Sequence, residues 1–137
     1  MVTWNVNGLR AALRKGFDGF VQALEPDVLL LQEIRVTPEQ LPDEVANPRG
    51  WHVRWHPAQK KGYAGTAIWS RTPLTDVTMG IGEDDDQGRV LSATTNGLRV
   101  VSVYLPSGSS GPEKQANKEV WLEKFAPWAA RLRERGP

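Results

Sequence analysis

Glu33 is the carboxylate around which chemistry can be built. It closes the run Asp27-Val28-Leu29-Leu30-Leu31-Gln32-Glu33. Pro26 stops whatever precedes the run. Its four consecutive apolar residues are too few for a helix and leave both faces apolar, the pattern of a strand buried in the middle of a sheet. A Glu at the end of such a strand stands at the lip of the sheet, where side chains leave the core and can meet a ligand. Mg²⁺ prefers one or two carboxylates and several waters, so a single Glu can anchor it. A solvated acid at a strand end is the competing reading, and spacing alone leaves both open. Asn5 and Asn7 are the other candidate oxygen donors, although Asn7-Gly8 is equally well explained as a turn.

These residues can act together only if the chain brings them to one place. Val2 to Val6 reads as a short strand, with Trp4 and Val6 facing one way and Thr3, Asn5 and Asn7 the other. From Leu9 to Leu24, Leu9, Ala12, Leu13, Phe17, Phe20, Val21 and Leu24 recur at helical spacing, and Gly16 and Gly19 weaken the helix they define. Strand, helix and strand in so short a span predict a βαβ unit with parallel strands and a right-handed crossover. Parallel strands end on the same edge of the sheet. If the two are neighbours, the Asn5 and Asn7 amides converge with Glu33.

Further along, Thr37 to Pro42 predicts a capped helical turn with Pro38 in its first position. Strands are expected at Trp51–Trp55, Gly65–Ser70 and Thr75–Met79, with a polar, basic loop from Pro57 to Ala64. The acidic stretch Glu83 to Asp86 lies in a loop. Consecutive residues cannot all face one ion, and Ca²⁺ spacing is missing, so a solvated loop is expected. Val90–Thr95 and Leu98–Leu105 flank Asn96-Gly97, a strong hairpin signal. A two-residue turn pairs Thr95 with Leu98 and therefore Arg89 with Tyr104, side by side at roughly 5 Å between Cβ atoms. Pro106 to Pro112 reads as a Gly/Ser loop. Asn117 to Arg133 predicts a helix with Val120, Trp121, Phe125, Trp128, Ala129 and Leu132 as its apolar stripe, and Pro127 as a possible kink.

Bulk properties narrow the field. A chain of 137 residues with 39% hydrophobic and 24% charged residues suits one small globular domain. With no cysteine and only His52 and His56, thiolate and multi-histidine metal sites are excluded. No apolar run approaches a membrane span. The first residues lack the basic segment and apolar core of a secretion signal, so a cytoplasmic location is expected. The net charge of +1 gives no global basic field, so a nucleic-acid partner must be held by a local patch.

Five blocks, in order, resemble the exodeoxyribonuclease III and apurinic/apyrimidinic endonuclease branch of the endonuclease/exonuclease/phosphatase superfamily. They are Trp4-Asn5-Val6-Asn7-Gly8-Leu9-Arg10, Pro26-Asp27 through Leu31-Gln32-Glu33, Gly62-Tyr63-Ala64-Gly65, Gly88-Arg89-Val90 and Tyr104-Leu105-Pro106-Ser107-Gly108. The resemblance implies an α/β fold, half of a four-layer αββα sandwich with mixed β-sheet and flanking helices. It reads residues 1–137 as the N-terminal half of the domain, because the family's later Asp-x-Asn, Asn-rich and Ser-Asp-His motifs do not occur. The implied function is a Mg²⁺-dependent DNA repair nuclease (Mn²⁺ being an alternative) that cleaves 5′ to abasic sites and trims 3′ ends. The fragment alone is then expected to be inactive, completed by the C-terminal half in cis or in trans.

By the same resemblance, Asn5, Glu33 and Tyr104 are catalytic, and Glu33 and Asn7 approach the metal. Arg10, Lys15, Arg35, Gly62, Tyr63 and Ser107 contact double-stranded DNA, chiefly its backbone, which positions a duplex without reading its sequence. Where the family often has Asp, this chain has Asn7, and where it often has Asn or Gln, it has Ser107. Solubility is the alternative explanation for the basic residues, and an ordinary edge tyrosine for Tyr104. A catalytically inactive nucleic-acid-binding or regulatory relative of the same fold is the alternative function.

Overall fold

The structure is a computed structural model that describes residues 1–82, 84–106 and 111–136. Two sheets face one another. The first has the order β1-β2-β4-β3, from β1 (Val2–Asn5), β2 (Val28–Gln32), β3 (His52–His56) and β4 (Thr66–Ser70). The second has the order β5-β6-β7, from β5 (Thr75–Met79), β6 (Val90–Thr95) and β7 (Leu98–Val103). Helices α1 (Leu9–Arg14), α2 (Phe17–Leu24) and α3 (Asp43–Ala46) accompany the first sheet, and α4 (Pro112–Glu134) follows the second. This is the mixed α/β arrangement expected, and the parallel pairing holds: β1 and β2 run side by side, Asn5 opposite Gln32.

β2 is apolar on both faces because both are covered. Leu29 and Leu31 join Leu9, Phe17, Ala67 and Trp69 in the core on the helical side. Leu30 meets Ile68, Leu91, Ala93 and Val100 between the sheets. Phe17 is the aromatic centre of the helical side, stacked on Trp4 at 5.2 Å and edge-on to Trp69 at 5.7 Å.

The space between the sheets also holds buried polar groups. At one end Gln32 Nε2 donates to Thr3 Oγ1 (2.9 Å) and Ser102 Oγ (3.0 Å), while Ser102 Oγ donates to the Leu31 carbonyl (2.9 Å). At the other, the Ser70 and Thr95 hydroxyls lie 2.7 Å apart. Gln32 with Ser102 and Ser70 with Thr95 are paired across the interface, so their burial costs little, whereas the buried Thr66 hydroxyl has no partner among the described residues.

Several expectations are corrected. The single helix predicted over 9–24 is two, parted at Gly16, whose φ of 101° lies in the left-handed region. The second strand stops at Gln32, because Glu33 takes φ 56°. α3 was not anticipated, and α4 begins at Pro112 rather than Asn117 and continues through Pro127. Pro112 occupies the first turn, where a missing N–H is no loss. The hairpin register is as read: Thr95 opposite Leu98 and Val90 opposite Val103. Beyond the ladder the Tyr104 amide donates to the Arg89 carbonyl at 2.8 Å.

Candidate active-site rim

The register sends five connections to one rim. β1 and β2 end there together. Thr66, at the start of β4, lies opposite both Gln32 and His56, and Val90, at the start of β6, lies opposite Val103. The Gln32–Ser102 hydrogen bond brings the end of β7 beneath the end of β2. The loops following β1, β2, β3, β5 and β7 therefore emerge on the same side.

Main-chain bonds knit the first two loops. Val6 N donates to the Gln32 carbonyl (3.0 Å), Gly8 N to Glu33 (2.8 Å) and Leu9 N to Ile34 (2.9 Å). This places Asn5, Asn7 and Glu33 together, as the parallel reading required. Asn7 adopts φ 49°, which asparagine tolerates better than most residues. Its amide donates to Asn5 Oδ1 at 3.0 Å. The turn bond thus uses the Asn5 side chain, and the Asn7 side chain is exposed.

Glu33 is mostly sheltered, its side chain 13% exposed, and its carboxylate is paired with the Arg35 guanidinium. Arg35, expected against a DNA backbone, is here held to the acid two residues earlier. Both have positive φ, 56° and 54°, and the alternation turns the two side chains toward each other. Among the described residues, no group of three or more His, Cys, Asp or Glu side chains is placed to hold a metal. What this chain offers a cation is one carboxylate with amide oxygens nearby. These are hard oxygen donors of the kind Mg²⁺ takes alongside several waters, once Arg35 releases Glu33.

Tyr104 leaves β7 at the same rim. The Arg89 guanidinium lies 5.2 Å from its ring centre and donates from Nη1 to the Tyr104 carbonyl (3.2 Å). Burial lowers the pKa of Arg89 from its ordinary value, with Tyr104, Asp85 and Asp86 pulling the other way. Arg10 on α1 and Lys15 just beyond it are exposed. Lys15 and Asn7 also border a cleft of about 270 Å³ floored by Trp4, Phe17 and Phe20. Gly62 and Tyr63 are exposed in the middle of the 57–65 loop, where Lys60 Nζ lies 4.2 Å above the Tyr63 ring. Ser107 lies outside the described residues, as does Glu83.

The acidic loop departs from expectation. Asp84 and Asp86 are exposed, but the Asp85 side chain is only 11% exposed and faces inward. Its carboxylate accepts from Arg89 N (2.9 Å to Oδ2), Val90 N (2.9 Å) and His56 Nε2 (2.8 Å). Burial would raise its pKa, yet these donors prevail and hold it below the ordinary carboxylate value. Neither Asp85 nor His56 was singled out in sequence. A strand-end histidine and one aspartate in a run of acids look like solvated side chains, and at 29 residues apart, with β4 and β5 between them, no local spacing marks them as a pair.

Oxygen donors and basic side chains thus gather at one rim of two facing sheets. Residues 2–137 match the Endonuclease/Exonuclease/phosphatase family, and the chain belongs to it. It is 34% identical to an exodeoxyribonuclease of Bacillus subtilis, over 100% of this chain and 54% of that protein. It is 33% identical to the DNA repair nuclease APEX1 of Danio rerio, over 100% of this chain and 46% of that protein. Among solved structures, the 3′-5′ exonuclease NExo of Neisseria meningitidis superimposes with a TM-score of 0.84 at 34% identity, over 98% of this chain and 53% of that one. The chain thus spans about half the length of the relatives it matches.

Proposed function

We propose that this chain is the N-terminal half of a Mg²⁺-dependent DNA repair nuclease that cleaves 5′ to abasic sites and removes nucleotides from 3′ ends, and that it is inactive without the C-terminal half. The observation that carries the reading is the meeting of Asn5, Asn7 and Glu33 at the parallel ends of β1 and β2, beside Tyr104. Relatives described as an exodeoxyribonuclease and a DNA repair nuclease support it.

In this reading Glu33 would hold the cation, and Asn7 would approach it through its amide oxygen or a water. Bound there, Mg²⁺ supplies charge stabilisation to the scissile phosphate and the leaving 3′-oxygen. Asn5 fixes the turn that presents Asn7. The Tyr104 phenol bonds a phosphate oxygen or gives a proton near the leaving group. Arg10 and Lys15 grip phosphates of the duplex, the Gly62-Tyr63 loop enters a groove, and Arg35 reaches the backbone once it leaves Glu33. Ser107 bonds the target phosphate.

The Arg35–Glu33 pair also favours a second reading, a nucleic-acid-binding relative without nuclease activity, because it fills the acid that a cation would need. The test is Glu33→Ala in the full-length protein, assayed on a duplex with one abasic site. The expected loss is about a hundredfold or more in incision rate, the scale on which one electrostatic partner of a transition state acts. Incision at the wild-type rate in E33A would reject the role of Glu33. Duplex binding with no chelator-sensitive incision by the intact protein would favour the second reading.

A further inference from the structure

We propose that His56 and Asp85 are a positioning pair that seats the Arg89 guanidinium against Tyr104. The proposal rests on the reading of Tyr104 as a site residue. The pair bridges two loops that have no strand pairing with each other. His56 ends β3, and Asp85 lies five residues before β6. Their side chains are 10% and 11% exposed and meet at 2.8 Å. With His56 against one oxygen, the Asp85 carboxylate also takes the backbone N–H groups of Arg89 and Val90. The peptide groups on both sides of Arg89 Cα are therefore bound to one buried anion, which fixes the direction in which the Arg89 side chain departs.

The loops are fastened at three further points. Gln59 N donates to the Asp86 carbonyl (2.7 Å), and Gly65 N to Gln87 (3.2 Å). Gly88, at φ +60°, lies so close that a Cβ there would overlap the His56 carbonyl oxygen. Arg89 then completes its setting, donating from Nε to Gln87 Oε1 (2.8 Å) and from Nη1 to the Tyr104 carbonyl (3.2 Å). Among the described residues, the guanidinium's hydrogen bonds and ring contact are to the loop and to Tyr104. A cation within about 6 Å of a phenol ring is attracted to the ring face, which holds the Arg89 and Tyr104 side chains together and presents positive charge at the rim. The loop that carries it is rigid only while the buried anion stays in place. Asp85 and His56 therefore act through Arg89 and touch no substrate.

The experiment uses the full-length protein, with its C-terminal half, carrying Asp85→Asn, His56→Leu, His56→Gln and Arg89→Lys, and the double variant D85N/R89K. Two readouts are taken. The first is the Arg89 Nε–Hε signal by NMR, displaced in the wild type by the Tyr104 ring. The second is kcat and KM on an abasic-site duplex. D85N and H56L should return the Arg89 signal to the position of a free arginine, and H56Q, which keeps a donor, should restore it. They should lower kcat about tenfold, the scale of a small misplacement near a reacting group, with KM within about twofold. D85N/R89K should be no worse than R89K alone, as expected for residues acting through one another. An unmoved Arg89 signal in folded D85N or H56L overturns the proposal, and so do losses that multiply in the double variant. If D85N does not fold, the His56 variants decide. If the intact wild-type protein, with its C-terminal half, makes no incision, the nuclease reading fails, while the Arg89 signal still decides whether the pair positions it.

Discussion

Gly88→Ala tests whether the two rim loops are pressed together as tightly as the geometry says. Two penalties fall on one methyl group. At φ +60° an L-residue sits in the left-handed region, at about 1–2 kcal/mol for alanine. The new Cβ would also overlap the His56 carbonyl oxygen and lie 3.0 Å from the Pro57 carbonyl carbon and 3.1 Å from Ala58 N. These are backbone atoms, so no side chain can swing aside, and overpacking of this kind costs about 1–3 kcal/mol. The combined loss is about 3 kcal/mol. For a protein about twice this length, as the Bacillus subtilis relative is, with an unfolding entropy of about 0.6 kcal/mol/K, the melting temperature should fall by about 5 °C. Gly97→Ala is the control. Gly97 has φ +77° but nothing within 4 Å of its Cβ, so only the conformational penalty of about 1 kcal/mol applies. Thermal melts followed by circular dichroism on the full-length protein separate the two. Equal shifts for G88A and G97A would mean that the loops are not in contact at Gly88, and the argument for a rigid rim would fail with it.

Asp85 should leave a signature in acid. Its carboxyl is held below the ordinary value of 3.8, so its stabilisation is complete above that value and is lost as pH falls through the folded-state pKa. D85N should cost about 2 kcal/mol at pH 7, from loss of bonds to a charged acceptor. Urea denaturation of D85N should then show a flatter decline than the wild type toward about pH 3; parallel declines would rule out Asp85 as a source of acid sensitivity. Phe17→Ala removes a ring that is 1% exposed, stacked on Trp4 and edge-on to Trp69, and should cost about 3–5 kcal/mol in chemical denaturation. Arg35→Ala frees Glu33. A partly exposed ion pair is worth up to about 1 kcal/mol, so Mn²⁺ binding followed by electron paramagnetic resonance should tighten by up to about fivefold; weaker binding would show that Arg35 helps build the cation site.

Features written in short-range patterns were legible in the sequence. The apolar run Val28–Leu31 named a strand covered on both faces, and its pairing with β1 followed from the βαβ rule. Asn96-Gly97 set a register that carried as far as Arg89 and Tyr104, because a two-residue turn leaves no slack to accumulate. The break at Gly16 was only half visible: glycine weakens a helix, but whether the chain bends or turns left depends on how Phe17 packs beneath Trp4. The start of α4 was placed five residues late because the apolar stripe begins after the helix does. Glu33 was read as a free ligand at a strand end, whereas its left-handed backbone and that of Arg35 bring the two charges together. The inward turn of Asp85 was out of reach of local pattern. It depends on three donors, one of them from a histidine 29 residues away.

Two stacked sheets held only by oily contact can slide past each other by a residue pair with little loss, since one aliphatic surface serves about as well as the next. The hydroxyl and amide links at Gln32–Ser102 and Ser70–Thr95 remove that freedom, because a directional bond survives in one alignment only. They act as dowels at both ends of the sandwich. Loops that spring from different sheets, Glu33 from one and Tyr104 from the other, therefore keep a common zero, and a cleavage site could be shared between layers that never exchange a strand.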